Sequence, residues 1–304
     1  MLQVEYSLNI EDNYYQTIST RKMTKYNNIT FEQYYNSYIK NKLNDYALKD
    51  ILCGDFEKLK EIKNSIGTKY KNKSNNIMKQ FFNYDKKSSS FNAKTAYFQP
   101  KISKFFEENI EVHTCYYCNI DFINKFKKSN ETKNAFTLDH VLEKADYPYL
   151  ALSLYNLVPS CYVCNSKVKD SKIPFDDFSP TNKNFDFNER VKFKSFITNV
   201  DLQIQNESDL LIKLIESYSS RYYKYIESLN LNDRYDYHKY KVLEMIKKRE
   251  IYPDSRIKEL SFLTQRTEED IKQDLFGVYL NDKDLHKRPL SKLIKDISEE
   301  LRLV

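Results

Sequence analysis

The chain has 304 residues, with 26 Tyr, only 3 Gly and a formal net charge of +6. No stretch approaches the ~20 apolar residues of a membrane-spanning helix. The opening Met1-Leu2-Gln3-Val4-Glu5-Tyr6 lacks the basic region and apolar core of a secretory signal, so the expected partners include no membrane. A charge this mild does not establish nucleic-acid binding; the clustering of the lysines carries that question.

In chain order, Thr30-Phe31-Glu32-Gln33 reads as a capping box leading into Tyr34, Tyr35, Tyr38, Ile39, Leu43 and Tyr46 at helical spacing. Cys53 reads as a buried helical hydrophobe. Asp55 caps a shorter helix carrying Phe56, Leu59, Ile62 and Ile66, and Gly67 ends it. Lys69, Lys71 and Lys73 form a basic patch that serves equally well as a solvated face. The polar run Lys86-Lys87-Ser88-Ser89-Ser90 marks a flexible boundary.

Two pairs of cysteines follow, Cys115/Cys118 and Cys161/Cys164. One Cys-x-x-Cys alone would suit a redox dithiol or two buried thiols. Two pairs in a chain with five cysteines are what a tetrahedral zinc site requires. Four thiolates close the coordination shell, so this zinc is structural. Paired thiols of this kind also point to a reducing cytoplasm, where they bind metal in preference to bridging.

Between the pairs, Ala135-Phe136-Thr137-Leu138 reads as a short strand with Asp139-His140 at its end. Asn156 lies further on, and Asn165 directly follows Cys164, so a zinc ion gripping Cys161 and Cys164 also fixes the turn carrying Asn165. A carboxylate and an amide oxygen suit a hard cation such as Mg²⁺, which accepts phosphate oxygens in its remaining positions. That leaves His140 as a base. Lys125, Lys127 and Lys128 form a second basic cluster, and Lys167, Lys169 and Lys172 a third, the best placed to meet phosphates.

Toward the C-terminus, Leu211, Leu214, Ile215, Tyr218, Tyr222, Tyr225, Ile226 and Leu229 recur at three- and four-residue steps, predicting one long helix. A second helix is expected over Tyr237 to Tyr252, stopping before Pro253. Thr267-Glu268-Glu269-Asp270 reads as a capped start, with Ile271 and Leu275 on the buried face.

Asp139-His140, Asn156 and Cys161-x-x-Cys164-Asn165, with Lys167 and Lys169, resemble the HNH endonuclease motif in its four-cysteine form, of the ββα-metal or His-Me finger nucleases. The resemblance covers roughly residues 110 to 175. It implies that Asp139 and Asn165 hold a catalytic Mg²⁺ or Mn²⁺, Asn165 standing where many members have His. It implies that His140 activates the attacking water, that Asn156 braces the loop carrying His140, and that DNA is cut to 5′-phosphate and 3′-hydroxyl ends. A wider resemblance runs through Asp139 to Lys144, Tyr147-Pro148 and Tyr155 to Pro159. It continues in Leu229 to Asn232, Tyr235, Tyr237, His238 and His286 to Leu293. These segments are similar to HNH proteins encoded beside ATPases in Septu-type bacterial anti-phage systems, where Pro commonly stands at the position of Glu143. That implies an antiviral defence nuclease acting with an ATPase partner.

The expected fold is mainly α, with a small central ββα-metal (HNH) nuclease core clamped by a four-cysteine zinc site. The expected divisions are a helical region over 1–105, the core over 106–190 and a helical region over 191–304. The rival reading is a non-catalytic zinc module binding nucleic acid or a protein, in which Asp139 and His140 serve local hydrogen bonds.

Overall fold

A computed structural model describes the chain apart from residues 24–26, 72–75, 86–96, 129–130, 169–177, 200, 202, 278–281 and 304. About half of the described residues are helical, with three small antiparallel two-stranded sheets. The boundary read at Lys86 to Ser90 lies outside the described residues, as do Lys73, Lys169 and Lys172.

The N-terminal helices form where local chemistry calls for them. After α1 (Leu8–Ser19), Thr30 and Gln33 close a reciprocal capping box on α2 (Phe31–Tyr34), satisfying two backbone donors that a helix start leaves unpaired. The helix then widens to a π turn over Tyr35–Ile39 and tightens to a 3₁₀ turn over Lys40–Leu43. Tyr34, Tyr35, Ile39 and Leu43 are buried, whereas Tyr38, expected on the same face, is exposed. The change of winding carries it off the buried stripe. Cys53 ends α3 (Leu48–Cys53) buried, its thiol donating to the Glu11 carbonyl. Asp55 caps α4 (Phe56–Ile66), whose buried face is Phe56, Leu59, Ile62 and Ile66. The helices α5 (Ile77–Phe81) and α6 (Gln99–Asn109) complete this part, where Phe31 stacks on Phe81 and meets Phe98 edge-on.

The central part holds two hairpins. β1 (Lys125–Lys128) pairs with β2 (Glu131–Asn134), and β3 (Thr137–His140) pairs with β4 (Leu157–Ser160). The second hairpin is buried along β4, and Cys161 follows its last residue directly.

The long helix expected from Leu211 to Leu229 does not form. After α7 (Phe187–Arg190), β5 (Val191–Ile197) pairs in full register with β6 (Leu210–Glu216), from Val191 opposite Glu216 to Ile197 opposite Leu210. Burial alternates, with Leu210, Ile212 and Leu214 inside and Ile215 exposed. A dense apolar run fits a period of two as well as one of 3.6, and the partner strand decides between them. The region expected to be helical after residue 190 therefore contains a hairpin. Only then come α8 (Tyr223–Ser228) and α9 (Leu231–Asp236).

The remaining helices are α10 (Lys239–Ile251), α11 (Asp254–Thr264), α12 (Glu268–Phe276) and α13 (Ser291–Glu300). The Thr267/Asp270 capping box opens α12, where Ile271 is buried and Leu275 partly so. Side chains of α13 seal the edge of β5: Asp296 accepts from the Phe193 amide at 2.8 Å and Glu300 from the Ser195 hydroxyl at 2.6 Å. No described helix is long and apolar enough to cross a membrane.

Candidate active site and metal centre

Cys115, Cys118, Cys161 and Cys164 are all buried, with their sulfurs within 4.8 Å of one another. Tetrahedral zinc with Zn–S bonds of about 2.3 Å requires sulfurs about 3.8 Å apart, and Cys118 and Cys161 lie at 4.0 Å. Two backbone amides aim at sulfur in the manner of a zinc knuckle: Ile120 N–H at Cys118 Sγ and Cys164 N–H at Cys161 Sγ, both 3.4 Å. The donor set fits zinc.

The first knuckle turns at Asn119, whose φ of 54° is left-handed. Asn tolerates this conformation better than most residues, and here its carboxamide is fully used. It donates to Thr114 Oγ1 and to the Leu285 and Arg288 carbonyls, and accepts from the Lys292 amide. Tyr225 and Tyr235 donate to the Tyr117 and Cys118 carbonyls at 3.0 and 2.6 Å. Arg234 reaches Cys164 Sγ at 3.2 Å. Burial works against the Arg234 charge, and the neighbouring sulfurs, Cys164 first, more than offset it. The C-terminal helices thus grip the backbone of the cysteine cluster.

At the other end of the β3–β4 hairpin, Asp139 pairs with Val158 and His140 with Leu157. Asp139 is buried and accepts a 2.6 Å hydrogen bond from Tyr117, which directly precedes the second cysteine of the first knuckle. Burial, and then the Asp139 charge, raise the Tyr117 phenol well above its ordinary pKa, so it remains an O–H donor. His140 Nε2 lies 2.9 Å from the Ala151 carbonyl. A carbonyl can only accept, so Nε2 carries the proton and Nδ1 is the basic nitrogen.

Asn156 is fully buried at the close of the loop joining the strands. Its Oδ1 accepts from the Leu142 amide at 2.6 Å, and its Nδ2 donates to the Leu142 and Leu150 carbonyls at 3.0 and 2.9 Å. The Val141 amide donates to the Asn156 carbonyl. The carboxamide therefore ties the backbone just after His140 to the segment bearing Ala151. Asn165 sits in the π turn Cys164–Val168, which packs against β3, so it and Asp139 occupy neighbouring elements. Lys167 on the same turn is exposed, with its ammonium 5.7 Å from the Tyr162 ring centre.

Two neighbours of His140, Tyr84 and Asp85, were not singled out in the sequence. Tyr84 meets the imidazole edge-on at 4.5 Å, and Asp85 is ion-paired to Lys144 at 2.5 Å. Burial opposes ionisation of Asp85, but the Lys144 ammonium, and more weakly His140, hold its carboxyl below the ordinary value. Tyr84, Asp85, Lys144 and Ala151 line a cleft of about 200 Å³. Tyr84 and Asp85 precede His140 by more than fifty residues, and no local spacing signals their approach.

Residues 115–171 match the family model of HNH endonucleases, from the first cluster cysteine to just beyond the π turn. The chain therefore carries an HNH endonuclease domain that includes a buried four-cysteine cluster. Neither the search of curated proteins nor that of solved structures found a match to the chain.

Proposed function

We propose that the protein is a metal-dependent endonuclease hydrolysing DNA phosphodiester bonds, built on a ββα-metal core formed by β3, β4 and the turn carrying Asn165. The observation that carries this reading is the 2.9 Å contact between His140 Nε2 and the Ala151 carbonyl, which assigns the proton to Nε2 and the role of base to Nδ1, on a loop locked by Asn156. The match of residues 115–171 to HNH endonucleases supports it.

His140 Nδ1 takes a proton from water as its oxygen bonds to phosphorus and the P–O3′ bond breaks, leaving a 5′-phosphate and a 3′-hydroxyl protonated from solvent. Asp139 and Asn165 would hold a Mg²⁺ or Mn²⁺ ion, which when bound would supply positive charge to the phosphate and the leaving oxygen. Tyr117 orients the Asp139 carboxylate through its short hydrogen bond. Lys167, with Lys169 and Lys172, supplies phosphate contacts. Cys115, Cys118, Cys161 and Cys164 would hold a zinc ion that supplies rigidity and no chemistry.

The finer reading makes this enzyme the nuclease effector of a cytoplasmic, Septu-like anti-phage system acting with an ATPase. It rests on the motif resemblance around Asp139 to Pro159 and in the tail.

The test is cleavage of plasmid with Mg²⁺ or Mn²⁺, with and without an ATPase encoded beside the gene. His140→Ala is expected to lose roughly 10²–10⁴-fold in rate while keeping fold and DNA binding. Wild-type-like cutting by that variant would move the base elsewhere. Absence of cutting under both conditions, with zinc bound and DNA retained, would favour the non-catalytic zinc module.

A further inference from the structure

Glu111, His113 and His286 bring three potential metal donors within 4.8 Å of one another on the outer side of the first knuckle. Glu111 Oε1 lies 3.1 Å from His113 Nε2, and Glu111 Oε2 lies 4.0 Å from His286 Nε2. The two imidazole centroids are 5.7 Å apart. Donors bound to one ion at about 2.0–2.2 Å sit about 3.0–3.5 Å apart, so small side-chain rotations close the shell.

Both backbones that carry these donors are already fixed to each other. Thr114, beside His113, donates through Oγ1 to the His286 carbonyl at 2.8 Å, and the Ile123 amide donates to the His113 carbonyl at 2.8 Å. Asn119 holds the Leu285 and Arg288 carbonyls on either side of His286. Leu285 itself is fully buried. The 3₁₀ turn Asp282–Lys287 is thereby locked onto the knuckle, and little ordering remains to oppose metal capture.

Imidazoles with one carboxylate are the donors of a borderline transition metal, unlike the all-sulfur cluster nearby or the oxygen donors of Asp139 and Asn165. Three protein ligands leave coordination positions for water or another small ligand. Glu111 and His286 also line a cleft of about 600 Å³ together with Glu5, Asp186 and Glu189. An ion there has open space beside it, in a cleft whose wall also carries Glu5 and Glu189.

We propose that Glu111, His113 and His286 bind a second, exchangeable divalent transition-metal ion of the zinc class, with its open coordination position facing this cleft. The ion ties the segment ahead of Cys115 to the turn ahead of α13, making the docking of the C-terminal helix metal-sensitive. This site is independent of the nuclease reading.

The test is zinc content after equilibrium dialysis at micromolar free Zn²⁺ with Mg²⁺ in excess, on wild type, Glu111→Gln, the double variant His113→Ala/His286→Gln, and His140→Ala. Wild type and His140→Ala are expected to bind one zinc more than the double variant, and Glu111→Gln to bind the extra ion at least tenfold more weakly. Added zinc should raise the Tm of wild type and leave that of the double variant unmoved. Co²⁺ added to protein holding zinc in the four-cysteine cluster alone should give d–d absorption without thiolate charge-transfer bands. Equal zinc content in wild type and a folded double variant, as judged by circular dichroism, would overturn the site. Loss of the extra ion in His140→Ala alone would assign it to the nuclease loop instead.

Discussion

The two ends of the β3–β4 hairpin are held by different physics. At the Thr137/Ser160 end the chain runs directly into Cys161, and the geometry there answers to four sulfurs. At the His140/Leu157 end it answers to one carboxamide, that of Asn156, making three side-chain hydrogen bonds. A structural zinc contributes on the order of 10–16 kcal/mol, as much as a domain's whole net stability or more. A carboxamide making three hydrogen bonds contributes a few kcal/mol at about 1 kcal/mol each. One end is therefore all or none. The other is strong enough to fix an imidazole and weak enough to respond to single changes without loss of the fold.

Breaking the first end should have the largest effect. Cys161→Ser, or chelation of the zinc, is expected to abolish cooperative unfolding, read by calorimetry together with zinc content, because folding and metal binding are coupled at such sites. A zinc-free protein with four reactive thiols and an unchanged Tm would remove the clamp.

Breaking the second end should be graded. Asn156→Ala leaves the Leu142 amide and the Leu142 and Leu150 carbonyls without their buried partner. The expected cost is about 3 kcal/mol or more from desolvated, unpaired groups. Zinc content should stay normal while cleavage falls. If the urea midpoint does not move, the loop is held by something else.

The clamp has a second layer that sharpens the contrast through pH. Lys292, whose amide donates to Asn119, is fully buried and paired with Asp296 at 2.8 Å. Burial, partly offset by the Asp296 charge, lowers its ammonium from 10.5 to about 8. Between these values the unfolded chain binds the proton and the folded chain has released it. The lysine's contribution to stability is therefore full above the unfolded value and lost as pH falls through the folded one. Wild type is expected to gain up to about 3 kcal/mol relative to Lys292→Met as pH rises from about 8 to about 10.5. Parallel denaturation midpoints for the two proteins across that range would show that Lys292 does not titrate there.

The smallest effect belongs to the surface beside the site. Lys167→Gln should weaken DNA binding for all sequences alike and make the salt dependence of log K shallower by at most about 0.9, one counterion's worth. An unchanged slope would shift the phosphate contacts to other lysines, with Lys125, Lys127 and Lys128 next in line.

Local chemistry accounts for what was legible in the chain. The capping boxes at Thr30 and Thr267 and the Asp55 cap act within a single turn, so their residues specify them without help from the rest of the molecule. The cysteine pairs were legible for a related reason: each knuckle is a local turn, and spacing alone brings its two sulfurs together. That Asp139, His140 and Asn156 share one hairpin was legible because strand and loop follow one another along the chain.

Contacts between distant segments were not legible. Whether Leu210 to Glu216 became strand or helix depended on Val191 to Ile197 being there to pair with it, since the apolar pattern satisfied both periods. The approach of Tyr84 and Asp85 to His140, and of Arg234 to Cys164, joins residues more than fifty positions apart, and no spacing encodes it. The same holds for Glu111 and His113 beside His286: each is an ordinary residue in its own segment, and only the packing of the C-terminal turn onto the knuckle makes them a set of donors. The sequence determined the turns, the caps and the cluster of sulfurs because those need only near neighbours. Tertiary structure decided the second hairpin and the groups facing the imidazole because those need partners that the chain supplies from far away.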